Sequence, residues 1–318
     1  MSKPVTRRHD FVFYFDVTNG NPNGDPDNAN MPRLDPETGQ GLVTDVALKR
    51  RVRNYISLLA DAGEIPVAGN EIYVSGTSAL NLKHAKAWQA VFPDARPEDL
   101  RKDGRPLDED KASELTRWMC ANFWDIRTFG AVMTTKVNAG QVRGPVQLTF
   151  ARSIETVMPL EIAITRMAAT AERDDQAKGG RTMGRKYIIP YGLYRAHGFV
   201  SAPLASHRIK GTGFSEGDLE LLWRALCNMF DHDRSASRGD MVSRKLVVFR
   251  HDSCLGNARA QDLFDRVRTW RLADHDRHPT DDATQVRFGP SRSWQDYEVS
   301  IDREGLPRGV EIFEMERT

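Results

Sequence analysis

The sequence predicts an α+β fold whose ferredoxin-like, or RNA-recognition-motif-like, core carries large insertions and a thumb-like loop. The first observation is a run of aromatic and β-branched residues at 10–17, which is typical of a buried strand. The second is a pair of stretches with apolar residues at helical spacing. The third is the order of the strongest elements, which is that of a ferredoxin-like core. These elements are strand 10–17, helix 44–60, strand 146–154, strand 191–201, helix 215–230 and strand 245–249.

The first helix combines a capping signal, an apolar face and a basic face. Thr44 is placed to cap its N-terminus. The apolar face is expected to hold Leu48, Val52, Tyr55, Ile56 and Leu59. The opposite face is expected to hold Lys49, Arg50 and Arg53, with Arg51 on a flank. No acid follows these cations at i+4, and like charges packed this closely lower stability unless an anion is present.

The rest of the core is predicted from shorter signals. The apolar residues that alternate along strand 146–154 are Val146, Leu148 and Phe150. Ser215 and Asp218 mark the start of the second core helix. Near the C-terminus, residues 297–314 are interpreted as a hairpin that turns at 303–305.

Long insertions divide the core in the sequence. The core is expected to comprise residues 9–61 and 141–255, separated by an inserted helical subdomain at 62–140. Residues 256–318 are expected to form a C-terminal extension that carries the hairpin.

An arm at 155–187 is expected to project from the core between two strands. Its second part, 176–187, is rich in glycine and holds four cations and no acid. A long loop of this kind between strands is typical of a functional segment.

Composition excludes several classes of protein. The chain has 318 residues, 40% hydrophobic and 28% charged, which is typical of a globular protein rather than a disordered one. Its 45 Lys and Arg and 44 Asp and Glu give a net charge of +1, so nucleic-acid binding would require local segregation of charge. No apolar run approaches the roughly 18 residues of a membrane helix. Three scattered cysteines exclude a disulfide framework, and a cytoplasmic location is expected.

Six short segments follow one another in a distinctive order. They are Phe11-Val-Phe-Tyr-Phe-Asp-Val, Asn21-Pro-Asn-Gly-Asp-Pro, Thr44-Asp-Val-Ala-Leu-Lys-Arg-Arg-Val-Arg, Asp125-Ile-Arg-Thr-Phe-Gly, Arg143-Gly-Pro-Val-Gln and Tyr191-Gly-Leu-Tyr-Arg-Ala-His-Gly-Phe. Together they resemble the CRISPR-associated backbone subunit of the type I-C Cascade complex, in the RAMP superfamily. The resemblance covers about residues 9–255.

The resemblance implies a non-catalytic protein without a cofactor. Several copies would stack head to tail along one CRISPR RNA, while base pairing between guide and target reads the DNA sequence. The implied partners are CRISPR RNA, the target DNA strand, copies of the chain itself, and the other Cascade subunits, namely the guide 5′-end-capping, large and small subunits. Tandem engagement on one strand multiplies a moderate affinity per subunit, which suits a near-neutral chain. No membrane partner is expected.

The resemblance also suggests which residues contact the guide. The candidate phosphate ligands are Lys49, Arg50, Arg53, Arg127, Arg143, Arg181, Arg185 and Lys186. The resemblance implies that the arm corresponds to the family's thumb, a hairpin or loop that folds over the guide RNA. The arm residues that could wedge between bases are Met158, Met167 and Met183. Phe129, Asn21 and Asn23 are further candidate RNA contacts. Ordinary packing, turn formation and a solvated helix face are the competing interpretations of these positions.

Two other functions remain open. In related type III backbone subunits, a loop after the first strand carries an aspartate that cleaves RNA with a metal. Asp25 or Asp27 could correspond to it and make the chain a metal-dependent endoribonuclease, although a DNA-targeting complex has no use for that reaction. A general RNA chaperone would instead stack bases on the aromatics Phe13, Phe15 and Tyr194. These are expected in the core, because the first strand is apolar on both faces.

Overall fold

A computed structural model describes residues 3–76, 78–94, 104–135, 137–166, 182–208 and 210–315. Its helices and strands are numbered in chain order. The strands are β1 (His9–Gly20), β2 (Gly24–Asp25), β3 (Met31–Pro32), β4 (Gln40–Val43), β5 (Gly130–Thr134), β6 (Asn138–Arg143), β7 (Val146–Leu148), β8 (Ala151–Thr156), β9 (Leu160–Arg166), β10 (Thr182–Val200), β11 (Asp240–His251), β12 (Val267–Ala273), β13 (Asp276–His278), β14 (Tyr297–Ile301) and β15 (Val310–Met315). The helices are α1 (Asp45–Asp61), α2 (Leu80–Val91), α3 (Glu109–Asn122), α4 (Trp124–Phe129), α5 (Ala202–Ser206), α6 (Glu216–His232), α7 (Ala260–Phe264) and α8 (Asp282–Phe288), with a 3-10 helix at Trp294–Asp296.

A large antiparallel sheet forms the centre of the molecule. Its strands lie in the order β15-β11-β1-β10-β8-β4, and β7 and β9 also pair with β10. Each of these pairings is antiparallel. The expectation of a mixed α and β fold is therefore confirmed, with a sheet larger than the four predicted strands.

The central strand β1 is buried on both faces, as its composition predicts. On one face Phe11, Phe13 and Phe15 pack against residues of α1 and α6. On the other face Val12 and Tyr14 pack against the C-terminal extension. Alternate side chains of a strand point to opposite faces, so an apolar strand of this kind requires a layer on each side. The molecule accordingly has helices, sheet and C-terminal segment as successive layers.

The two core helices begin at the predicted caps. The Thr44 hydroxyl accepts a hydrogen bond from the backbone N–H of Ala47 at the start of α1. Ser215 and Asp218 form a reciprocal capping box at the start of α6. No helix in the described ranges combines the length and the apolar character of a membrane span.

The residues predicted as an insert have a hydrophobic cluster of their own. The cluster contains Tyr73, Leu115, Met119, Phe123, Ile126 and Met133. It joins α2 and α3 to the hairpin formed by β5 and β6. The helices of this region are α2, α3 and the short α4.

Two predicted details are wrong. Phe150 is 52% exposed, because the predicted strand 146–154 is divided into β7 and β8 and the buried positions resume at Ala151. The predicted C-terminal hairpin does not form, since β14 pairs with β12 and β15 pairs with β11. Arg266 donates to the carbonyl groups of Glu304 and Gly305 and so fixes the connection between the two sheets.

Candidate nucleic-acid interface

The loop after β1 is tied to the N-terminus of α1 by an asparagine. The Oδ1 of Asn23 accepts hydrogen bonds from the backbone N–H and the hydroxyl of Thr44, at 2.9 and 3.0 Å. Asn21 is buried, and its Nδ2 donates to the Asn30 carbonyl at 2.7 Å, whereas its Oδ1 has no hydrogen-bond partner among the described residues. Both side chains therefore hold the loop in shape, and Asn21 is not on the surface.

The basic face of α1 is smaller than predicted. Arg53 is buried, and its Nε lies 2.8 Å from Oδ2 of Asp125. Arg51 is also buried, with Nε 3.1 Å from Oδ2 of Asp233. Burial lowers the pKa of Arg51 to about 10, so the guanidinium remains charged at neutral pH. The expectation that Arg53 projects outward with Lys49 and Arg50 is wrong, because its side of the helix packs against the insert.

Arg50 is the exposed cation of this helix. It has no ion pair with any residue in the described ranges. Lys49 is half-buried, and its Nζ lies 2.8 Å from Oδ2 of Asp45, one turn earlier. The i+4 positions that follow the cations hold no acid, whereas Asp45 lies at i−4 from Lys49 and forms the pair.

Phe129 lies at the meeting point of α1 and the insert. Lys49 Nζ is 5.6 Å from the ring centroid and Arg53 Cζ is 5.2 Å from it, within the range of cation–π attraction. The ring also meets Trp124 edge-on at 5.7 Å. Phe129 is buried, so it packs within the protein.

Arg143 is carried to the same region by a close approach of two glycines. Gly130 pairs with Arg143 between β5 and β6, and Gly130 has a φ of +80°, which favours glycine. A Cβ on Gly144 would lie 2.2 Å from the carbonyl carbon of Phe129. Arg143 is exposed and has no ion pair with a described residue. It is thus, like Arg50, a guanidinium group without an ion pair in the described ranges.

Arg127 has protein partners for its whole guanidinium group. Nη2 lies 2.7 Å from one carboxylate oxygen of Asp218, and Nε lies 3.0 Å from the other. Nη2 also donates to Asn70 Oδ1 at 2.9 Å, and Nη1 donates to the Gly69 carbonyl. The side chain is buried at the end of a short helix rather than in an open loop. The expected position of Arg127 as a loop residue open to a phosphate is wrong.

The arm is a β-hairpin in its described part. β9 pairs with the first residues of β10, with Met183 opposite Thr165 and Lys186 opposite Ile162. Met158 and Met183 are 76% and 72% exposed. Met167 and Arg181 lie outside the described residues.

The two arm cations whose side chains are described, Arg185 and Lys186, have partners. Arg185 Nη1 lies 2.9 Å from Oε1 of Glu161, and both side chains are largely exposed, so water screens this pair. Lys186 donates to the Ala236 carbonyl, beyond the end of the hairpin. A phosphate could replace the exposed Glu161 far more easily than the buried partners of Arg53 or Arg127.

The sheet offers no open aromatic platform in the described ranges. Phe13, Phe15 and Tyr194 are fully buried, and the Phe15 and Tyr194 rings stack with centroids 5.3 Å apart. The opposite face is covered by Phe264 and Tyr297 of the C-terminal extension. The expectation that these aromatics belong to the core is confirmed.

The alternative catalytic residues lie in a small hairpin. Asp25 Oδ1 is 3.2 Å from Arg33 Nη2 and accepts from the backbone N–H of Asp27 at 3.4 Å. Among the described residues, no three His, Cys, Asp or Glu side chains come together as they would around a metal ion.

The sequence argument missed Asp125, which organises this region. It is 1% exposed and accepts from Arg53 Nε at 2.8 Å and from the backbone N–H groups of Tyr73 and Val74 at 2.7 and 3.0 Å. An acid inside the apolar run Phe-Trp-Asp-Ile is a signal that could have identified it, because a buried carboxylate requires partners.

The sequence matches one family along nearly its whole length. The model of the family described as CRISPR-associated protein Cas7 matches residues 7–302. The CRISPR-associated protein Cas7 of Haloferax volcanii is 28% identical over an alignment of 243 residues, which covers 70% of this chain and 64% of that protein. The chain therefore spans less than two thirds of the relative's length.

Chains of two solved structures align with part of this chain. A chain of a "CRISPR RNA-guided surveillance complex, pre-nicking" aligns with a TM-score of 0.44 and 14% identity, over 76% of this chain and 78% of that chain. A chain of a "CRISPR RNA-guided surveillance complex" aligns with a TM-score of 0.42 and 12% identity, over 76% and 68%. Because the family match extends over residues 7–302 of 318, the chain belongs to the CRISPR-associated protein Cas7 family.

Proposed function

We propose that the chain is a non-catalytic, cytoplasmic backbone subunit of a CRISPR RNA-guided complex of the type I-C Cascade kind. Several copies stack head to tail on one CRISPR RNA and hold it for pairing with a target DNA strand, beside the other Cascade subunits. The observation that carries the proposal is the family match over residues 7–302. The six sequence segments that resemble the type I-C backbone subunit support the finer assignment.

The charges of the candidate interface support RNA binding of moderate strength per copy. Arg50 and Arg143 are exposed and lack ion pairs among the described residues. Each can therefore take a phosphate without giving up a protein partner. Because the net charge of the chain is only +1, neighbouring copies on one RNA repel each other little. Stacking then raises the affinity of the whole array.

The arm supports contact between copies. Leu160, Ile162 and Ile164 alternate along β9 and so share one face, where they are 44%, 40% and 46% exposed. The residue opposite Ile164 is Gly184, which adds no side chain to this face. An exposed apolar strip on a projecting hairpin is typical of an interaction surface, and we assign it to the next copy.

The proposal includes a ferredoxin-like core. The elements β1, α1, β8, β10, α6 and β11 occur in the order strand, helix, strand, strand, helix, strand. The four strands lie in the spatial order β11-β1-β10-β8, and residues of α1 and α6 pack on one face. This arrangement supports the assignment.

The proposal is tested by footprinting the purified chain on end-labelled CRISPR RNA, with and without magnesium. Protection at regular intervals, without cleavage, is the expected result. Magnesium-dependent cleavage that is abolished by Asp25→Ala would instead identify an endoribonuclease. Binding without periodic protection would indicate a general RNA-binding protein.

Substitution of the free cations gives a second readout. Arg50→Ala and Arg143→Ala should each weaken binding about tenfold for every guide sequence. Each should also reduce the log–log salt slope by about 0.7, the value for one phosphate on a single strand. Arg277→Ala removes an exposed, ion-paired cation of the C-terminal sheet and is the matched control. Equal affinities for all three variants would contradict the interface.

A further inference from the structure

A loop at residues 71–76 of the insert precedes α2 and is fixed from one side by a buried acid. Asp125 accepts hydrogen bonds from the backbone N–H groups of Tyr73 and Val74, at 2.7 and 3.0 Å. The same carboxylate holds Arg53 of α1 at 2.8 Å. One side chain therefore sets the position of the loop relative to α1.

A lysine fixes the loop from the other side. Lys83 Nζ donates to the carbonyl groups of Ile72 and Tyr73, at 2.8 and 2.7 Å, and to the Ser75 hydroxyl at 2.7 Å. Burial lowers the pKa of Lys83, which is consistent with an ammonium group committed to the loop rather than to solvent. Two charged side chains thus satisfy the backbone of a loop that is itself partly exposed.

The loop presents a glycine to the free cation of α1. A Cβ placed on Gly76 would lie 3.9 Å from Arg50 Nη2 and would meet no other atom of the described residues within 4 Å, apart from its chain neighbours. Gly76 and Arg50 are both exposed. Among the described residues the space between Gly76 and the guanidinium is therefore open, and the loop forms one side of it.

We propose that the space beside the Arg50 guanidinium, the Arg50 site, takes one phosphodiester group of the guide strand. Residues 74–76 form one wall of this site. Asp125 and Lys83 are its positioning residues. The inference rests on the proposed function, because it specifies how one phosphate of the CRISPR RNA is held. Gly76 leaves room for the phosphate oxygens at Nη2. Asp125 keeps α1 and the loop at the distance that the phosphate requires, and Lys83 keeps the loop from folding into the space.

A charge placed on the wall tests the site directly. In the full-length chain, Gly76→Asp puts a carboxylate beside Arg50, and Gly76→Asn puts a side chain of the same shape there without charge. We expect Gly76→Asp to bind labelled CRISPR RNA about tenfold more weakly than Gly76→Asn. In an Arg50→Ala background the difference between the two should shrink to less than about threefold, since contacting residues are coupled and distant ones are additive.

The positioning role is tested by Lys83→Met, which keeps the length of the side chain and removes the donors. We expect a folded protein whose salt slope falls by about 0.7, as for Arg50→Ala. A variant that is only less stable would bind through its folded fraction with an unchanged slope, so the slope separates positioning from loss of structure. Asp125→Asn, which keeps one of the two acceptor oxygens for the loop N–H groups and lacks the charge that holds Arg53, should shift the slope in the same direction.

The outcomes separate this inference from the function on which it rests. If the wild-type chain binds CRISPR RNA and Gly76→Asp binds as tightly as Gly76→Asn, the wall is refuted while the function stands. If Lys83→Met is folded and keeps its affinity and slope, Lys83 is not a positioning residue. If the wild-type chain binds no CRISPR RNA at physiological salt, both are overturned.

Discussion

Arg127 and Asp218 form a two-point ion pair that joins the insert to the second core helix, with Nη2 2.7 Å from Oδ1 and Nε 3.0 Å from Oδ2. Asp218 also accepts from the backbone N–H and the hydroxyl of Ser215, at 2.9 and 2.8 Å, in the capping box of α6. One buried carboxylate therefore both starts a helix and fixes the insert on the core.

Loss of this pair should destabilise the fold. Arg127→Ala leaves Asp218 buried without its countercharge, so the free energy of unfolding should fall by about 3–5 kcal/mol in urea denaturation. Arg224 lies on the same helix as Asp218 and forms an exposed ion pair with Glu64. Arg224→Ala should lower the free energy of unfolding by less than about 1 kcal/mol. If Arg127→Ala kept full stability and lost only RNA binding, Arg127 would be a phosphate ligand instead.

Local signals were sufficient to predict the core elements, and distant partners were not visible. Thr44, Ser215 and the apolar periodicity identify α1 and α6, because caps and helical spacing depend on residues a few positions apart. The partners of Arg53 and Arg51 lie 72 and 182 positions away in the sequence. The sequence therefore shows no partners for the four cations of α1, although two of them, Arg51 and Arg53, are buried and ion-paired.

The candidate interface was predicted only in part for the same reason. Arg50 and Arg143 are exposed, and no acid in their own segments or elsewhere in the described ranges forms an ion pair with either side chain. Asp125 connects a loop and a helix from separate segments, and no spacing in the sequence expresses such a contact. The pairing of β15 with β11 likewise depends on the sheet edge that β11 presents, and not on the turn at 303–305 that suggested a hairpin.

The two glycines near Phe129 should tolerate no side chain. A Cβ on Gly144 would lie 2.2 Å from the Phe129 carbonyl carbon and 2.3 Å from the Gly130 nitrogen, and both of these are backbone atoms. Gly144→Ala should therefore reduce the free energy of unfolding by about 3 kcal/mol, measured by chemical denaturation.

The control for this substitution is Gly239→Ala. A Cβ there would come no nearer than 3.9 Å to a neighbouring atom, the Ser235 carbonyl oxygen. That variant should be as stable as the wild type or more stable by up to about 1 kcal/mol, because alanine restricts the unfolded chain. Similar losses for both variants would mean that the close approach at Gly144 is not responsible.

His9 should make stability fall in mild acid. Its side chain is 5% exposed against Trp223, and burial lowers its pKa from 6.5 to about 4, with Arg250 and His251 acting in the same direction and Asp10 and the Arg7 carbonyl opposing. The unfolded chain takes up this proton first as the pH falls, so the contribution is complete above pH 6.5. It should be lost between pH 6.5 and 4, by roughly 3 kcal/mol.

The measurement is the free energy of unfolding against pH for the wild type and His9→Gln. The difference between the two curves should decline over that interval. A flat difference curve for His9→Gln would show that His9 is protonated equally in the folded and unfolded states.

Met183 is the methionine of the arm that we expect to contact RNA. It is 72% exposed on the hairpin and shares a strand face with Arg185, two residues along, so a nucleotide that reaches one side chain can reach the other. Met158 is equally exposed but lines an apolar groove at the base of the arm with Leu34 and Val286. Met183→Ser should weaken CRISPR RNA binding about tenfold and Met158→Ser by less than about twofold. Both should leave the free energy of unfolding within about 0.5 kcal/mol of the wild type, because neither side chain is packed in the core.

A wedge that contacts any base must act alike on guides of different sequence, so the Met183→Ser loss should be the same for purine-rich and pyrimidine-rich spacers. A loss confined to one spacer would indicate recognition of a particular base, and a larger loss for Met158→Ser would move the contact to the base of the arm.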